Sequence, residues 1–279
     1  MPAEPTASTA SAAGFASDDA AAAALDANFA ELLAWYGSAP GGEVRRDPDL
    51  LLTSSGVSFR SINAAALANL APSDASRRIT EAVAWLRNRT DRWRWLVGSS
   101  SRPLDLGERL LQAGLRLLGD SAGMALDLSG WSGARLPDGV TSELVTDDAG
   151  LERWREVQRR GLGLDDVSTD AWWAAHRRLG VEARLPLRNW IANLNGEPVA
   201  AAALFVGADV AGIYNVCTVP EARGRGIGAV ITGVALDAAV AQGLELAVLG
   251  ASDMGYPVYR RLGFREVSRL RSYSVASPG

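Results

Sequence analysis

The 279-residue chain contains no lysine; all 28 of its basic residues are arginine. That excludes a lysine Schiff base or a lysine general base, and leaves every cationic task to a guanidinium that keeps its proton. A single cysteine, Cys217, excludes an intrachain disulfide and a cysteine-rich zinc site. A single histidine, His176, excludes a multi-histidine metal cluster, so no metal is expected. No apolar run reaches the roughly 18 residues of a membrane span. The alanine-rich start lacks a basic segment and is interrupted by Asp18 and Asp19, so it does not read as a signal peptide. An excess of positive charge is also missing. The net charge of −4 argues against nucleic acid as the main partner, because phosphate binding needs a basic surface. A cytoplasmic protein with neither membrane nor nucleic-acid partners is the expectation.

What is present is an ordinary globular composition, 48% hydrophobic and 22% charged, at a length that suits two modest domains. Residues 1–17 lack periodicity and read as a disordered tail. From Asp18, read as an N-cap, the spacing of Leu25, Phe29, Leu32, Leu33 and Trp35 predicts a helix. Strands are expected within 43–70 and at 93–98, helices at 73–89 and 104–114, and one or two strands over LRLLG and GMALDL. The stretch WSGARLPDG, 131–139, breaks the pattern and reads as a linker. Beyond it come a strand VTSELV, a helix led by Asp147 and Asp148, a loop GLGLDDVSTD and a short helix carrying Trp172, Trp173 and His176. Three antiparallel strands follow, the first two joined by a tight turn at Asn195-Gly196. A helix from about Gly226 to Gly243, a strand 244–251, a short helix 256–264 and a last strand complete the chain.

The two halves carry a faint repeat. LLQAGLRLL (110–118) and YRRLGFREV (259–267) are each a helix end, a glycine and a strand, at an offset of 149. The same offset lays the helix at 79–89 on the one at 228–238. The chain thus reads as a duplicated α/β unit, with SDASRR in the first copy where the second has a glycine loop, and Leu110 where the second has Tyr259.

That loop is RGRGIG, 223–228, at a strand-to-helix junction. Bare backbone N–H groups and the helix dipole converge there, forming an anion site that needs no lysine. Gly224, Gly226 and Gly228 admit a diphosphate to the backbone, and Arg223 or Arg225 can add a charge-assisted bond. A Walker loop is absent, since no Gly-Lys-Ser/Thr follows. Gly224-x-Gly226-x-x-Ala229 also fits a dinucleotide fingerprint. Against that NAD(P)-binding alternative, only about 50 residues follow the loop, the preceding strands are antiparallel, and no acidic residue ends the next strand.

Arg223-x-x-Gly226-x-Gly228 after NVCTVPEA, followed by a helix, a strand and Tyr259-x-x-x-Gly263-Phe264, resembles the GNAT N-acetyltransferase superfamily over roughly 140–275. With the repeat, the whole chain looks like a tandem GNAT protein. The resemblance implies an α/β (α+β) fold of two GNAT-like domains, each a mixed, mostly antiparallel twisted sheet flanked by helices. A degenerate copy would span 18–130 and a catalytic one 140–279. It further implies acetyl-CoA as acyl donor, its pantetheine paired with the backbone of Val216, Cys217 and Thr218, and its pyrophosphate held by Gly224, Arg225, Gly226, Ile227, Gly228 and Ala229 beside Arg223. Tyr259 would protonate the departing thiolate, and a small-molecule or peptide amine would attack the thioester directly. Where the family often has Asn at the end of the fifth strand, this chain has Ser252.

Other candidates stand beside these. Tyr256, three residues before Tyr259, can substitute for it, and Cys217 and His176 read as packing residues. Asp165, Asp166 and Asp170 can attract a cationic amine or serve as helix caps, and Tyr214, Asn215, Trp172 and Trp173 are candidates for an acceptor pocket. The general base, the acceptor, and the choice between monomer and homodimer stay open, as does a non-catalytic acyl-CoA-binding role.

Overall fold

The computed structural model describes residues 17–275; apart from Ser17, the expected tail lies outside the described residues. The first helix, α1 (Asp18–Gly37), is capped by Ser17, whose Oγ accepts the Ala20 N–H at 3.3 Å. Asp18 is thus the first helical residue rather than the cap. The first half continues with β1 (Glu43–Asp47), β2 (Leu50–Ser54), β3 (Ala64–Ala66), α2 (Ala75–Arg87), β4 (Arg94–Val97), α3 (Leu106–Gln112) and β5 (Arg116–Asp127). LRLLG and GMALDL therefore belong to one strand. Its internal Gly123 marks a close approach, since a Cβ there would lie 2.7 Å from Leu25 Cδ2 of α1.

After an irregular stretch the second half runs β6 (Val140–Leu144), α4 (Asp148–Leu162), α5 (Asp166–Leu179), β7 (Leu187–Leu194), β8 (Glu197–Gly207), β9 (Val210–Thr218), α6 (Ile227–Val240), β10 (Leu246–Ala251), α7 (Tyr256–Arg261) and β11 (Arg265–Ser274). The loop read over GLGLDDVSTD shrinks to 163–165, because Gly163 closes α4 in the left-handed region and Asp165 caps α5 at once. Asp165 Oδ1 accepts the Ser168 N–H at 2.7 Å, which is why a polar run there starts a helix.

The eleven strands of the described residues form one sheet, in the order β1-β2-β3-β4-β11-β5-β10-β9-β8-β7-β6. Only β3–β4 and β9–β10 pair in parallel. The centre of the sheet is an exchange. The last strand of the second half, β11, lies between β4 and β5, and the last strand of the first half, β5, lies between β11 and β10. Their register is symmetric: Arg116 faces Ser274 and Ala125 faces Arg265, and the offset of 149 carries Arg116 to Arg265 and Ala125 to Ser274. Asp120 lies on the central stretch and binds Arg269 Nε at 2.8 Å and Arg271 Nε at 3.1 Å.

The helix α1 buries residues on several sides and packs against both halves, with Leu33 beside Leu51 and Ala64, and Leu32 and Tyr36 in the cluster that holds β8 and β9. Its buried Asn28 ties it to the β8–β9 hairpin. Nδ2 donates to the carbonyls of Gly207 (2.8 Å) and Val210 (3.1 Å), and Oδ1 accepts from the Tyr214 hydroxyl at 2.6 Å. A segment of the first half thus fixes the strand on which the site is built.

Candidate active site

The strand β9 pairs with β10 only at Ala211 and Gly212, although it continues to Thr218. From Ile213 onward its β10 side is unpaired, and the two strands splay apart. On the other side β9 bulges, since Asn215 and Val216 together oppose the single residue between Ala201 and Ala203 of β8. Asn215 sits in the left-handed region at φ 55°, which Asn tolerates better than most residues. Val216, Cys217 and Thr218 therefore line the open edge of a cleft.

The glycine loop closes the end of that cleft. Gly224 and Gly226 have φ of 75° and 77°, and a Cβ on either would meet no atom within 4 Å, so it is the left-handed conformation and not crowding that favours glycine. Gly228 serves close packing instead, with Thr218 Oγ1 3.2 Å from where its Cβ would stand. The N–H groups of Gly224, Arg225, Gly226, Ile227 and Gly228 find no acceptor among the described residues. They lie at the start of α6, where the helix dipole adds partial positive charge. Arg225 is exposed and has no partner among the described residues, whereas Arg223 braces the loop, donating to the carbonyls of Thr218 (3.1 Å) and Gly161 (2.9 Å). The Ile227 side chain is buried, leaving only its backbone for a ligand, and Ala229 is half-buried. This cradle of free N–H groups suits a diphosphate.

Tyr259 is buried beside Phe264, with ring centroids 5.9 Å apart, and its hydroxyl has no partner among the described residues. Burial, with Cys217 nearby, holds its phenol above the usual range. Burial also pushes the Cys217 thiol up to about 12, and Sγ lies 3.7 Å from the Val157 carbonyl, so this cysteine is no thiolate nucleophile near neutral pH. Ser252 is exposed and accepts the Gly255 N–H at 3.2 Å, which caps the turn into α7. Tyr256, on the same short helix, is half-buried.

On the α4–α5 side, His176 is fully buried. Its Nδ1 faces the Trp172 carbonyl at 3.1 Å and its Nε2 the Tyr36 hydroxyl at 3.1 Å. A carbonyl can only accept, so Nδ1 carries the proton and Nε2 accepts from Tyr36. Burial lowers the imidazole pKa to about 4. Trp172 stacks on Phe59 at 5.1 Å, while Trp173 faces a shallow outer groove with Arg177. Tyr214 is turned against Phe29 and Asn28. Of the three aspartates, Asp165 caps α5, Asp170 pairs with Arg155 and Asp166 lies in solvent 3.9 Å from Arg159.

The corresponding cleft of the first half is filled by the chain itself. After β3 and β4 part, the Arg102 N–H donates to the Ala68 carbonyl at 2.7 Å and the Leu70 N–H to the Arg102 carbonyl at 3.1 Å. Asp26 of α1 holds this strap, Oδ2 accepting from Ser100 N (2.7 Å) and Ser99 Oγ (3.0 Å). At the start of α2, where the second half has its glycine loop, Asp74 places a carboxylate paired with Arg77.

Residues 133–257 match the family model described as an acetyltransferase (GNAT) domain. No curated protein sequence matches the chain. Among solved structures, a GCN5-related N-acetyltransferase from Kribbella flavida is similar over 91% of this chain and 96% of its own, with 19% identity and a TM-score of 0.67. A tandem GNAT protein from the clavulanic acid biosynthesis pathway is similar over 90% and 88%, with 14% identity and a TM-score of 0.58. A GCN5-related N-acetyltransferase from Sphaerobacter thermophilus is similar over 85% and 77%, with 16% identity and a TM-score of 0.58. These likenesses establish the fold. No helix among the described residues is long and apolar enough to cross a membrane.

Proposed function

We propose that the chain is an N-acetyltransferase that moves the acetyl group of acetyl-CoA to a primary amine of a small molecule or peptide, by direct attack on the thioester. The observation that carries this reading is a cleft between β9 and β10 that ends at five N–H groups, without an acceptor among the described residues, on a positive-φ glycine loop. When bound, acetyl-CoA supplies an activated acyl group on a thiol leaving group. The N–H groups of Gly224–Gly228 hold its diphosphate, Arg225 adds a charge-assisted bond, and the open edge at Val216–Thr218 pairs with its pantetheine. Arg223 supports the loop rather than reaching for the ligand.

Tyr259 supplies the proton to the thiolate. Burial holds the Tyr259 phenol above the usual range, so it keeps its proton near neutral pH and would have it to give to a departing thiolate. The first half supports the second without taking a cofactor, since its own strap fills its cleft.

Two measurements test the reading. Thermal unfolding with acetyl-CoA at about 100 times its Kd should gain about 2.7 kcal/mol, with NAD(P) giving no shift. Tyr259→Phe should lower kcat by roughly 10²–10⁴ while acetyl-CoA affinity holds. Acetyl-CoA binding without turnover of any amine would instead establish a non-catalytic acyl-CoA-binding protein.

A further inference from the structure

The bulge in β9 is held from outside the sheet. Gln158, on α4, is fully buried, and its Nε2 donates to the Asn215 carbonyl at 2.7 Å. Because that partner can only accept, the orientation of the amide is fixed, and Oε1 points the other way. There Oε1 is buried with no donor among the described residues. A buried acceptor left unpaired is unfavourable, and a leucine or methionine would fill the same space without it. What the amide provides is one bond, to the one residue of β9 in the left-handed region.

We propose that Gln158 is a positioning residue for acetyl transfer. It pins the Asn215 carbonyl, keeps Asn215 at positive φ, and thereby holds the Asn215–Thr218 edge of β9 in the bulged, splayed form that meets the thioester. It rests on the acetyltransferase reading above. Gln158 touches neither donor nor acceptor and acts through the backbone of Asn215. The adjoining turn of α4 supports the same edge, with Val157 O against Cys217 Sγ at 3.7 Å and the Gly161 carbonyl gripped by Arg223.

The test uses the full chain and three variants. Gln158→Met keeps the volume and removes the bond. The expected result is a 10- to 100-fold lower kcat, an acetyl-CoA Kd within threefold of wild type, and faster amide hydrogen exchange at Asn215–Thr218. Adding Asn215→Gly to Gln158→Met should recover kcat at least fivefold, because glycine adopts positive φ without a clamp. Gln158→Glu should work when its carboxyl is protonated and can donate to Asn215, and lose kcat as pH rises. The idea is overturned if Gln158→Met retains kcat within twofold, if Asn215→Gly brings no recovery, or if exchange at Asn215–Thr218 is unchanged. The exchange measurement needs no turnover, so an inactive wild type would remove the acetyltransferase reading and leave the clamp to be judged on its own.

Discussion

Gly226→Ala separates what the glycine loop costs the fold from what it gives the ligand. At φ 77° an L-residue is strained by about 1–2 kcal/mol. No steric term adds to this, because the new methyl would have no atom within 4 Å. For a chain of this size about 1 kcal/mol corresponds to about 2–4 °C, so the free variant should melt about 2–8 °C lower. The methyl would stand in the space the N–H groups face, and displacing two charge-assisted bonds of about 1.5–3 kcal/mol each weakens binding by roughly 10²–10⁴. At a concentration that is about 100 times the wild-type Kd, the stabilisation by acetyl-CoA falls from about 2.7 to about 0.4 kcal/mol or less. Differential scanning fluorimetry with and without acetyl-CoA reads both quantities. A variant that melts lower yet keeps its full acetyl-CoA shift would refute the reasoning, since the diphosphate would then lie elsewhere.

Three further outcomes are expected. His176 has a pKa of about 4 in the fold and about 6.5 unfolded, so the unfolded chain binds the proton between those values. Its contribution, about 3 kcal/mol, is complete above about pH 6.5 and lost as pH falls through 4; urea midpoints from pH 7 to 4 should fall less steeply in His176→Gln. Isothermal titration should give one acetyl-CoA per chain, and a stoichiometry of two would mean that the Arg102 strap yields its cleft. Residues 140–279 expressed alone lack the strand between β10 and β11 and should lose cooperative unfolding, which co-expression with 1–130 should restore.

The glycine loop and most elements were legible, because each rests on local chemistry: a glycine at a helix end, apolar spacing, a tight Asn-Gly turn. The strand exchange was out of reach. The pattern of RLLGDSAGMALD says that a strand is covered, not which strands cover it, and β5 and β11 look alike for the reason that they can trade places. Gly119 and Gly123 suggested a break in what is one strand, and at Gly123 the structure has a close approach of α1. GSSSRP reads as a plain polar loop, and its place in the first cleft depends on Asp26, more than seventy residues earlier. In the site, the loop and Tyr259 were legible as motifs. Gln158 was not, because a glutamine among the charges of ERWREVQRR looks like solvent-facing surface until α4 is laid on β9.

The symmetric register of β5 against β11 has a historical consequence. A contact in which one residue meets the counterpart of a second, while the second meets the counterpart of the first, is isologous, the geometry of a twofold homodimer. A single-unit ancestor with this strand edge could dimerise through it, exchanging last strands between two identical subunits. Fusing the two genes would make that interface intramolecular and independent of concentration. It would also free one half to change, and in this chain the Arg102 segment bonds to Ala68 and Leu70 where β3 and β4 part.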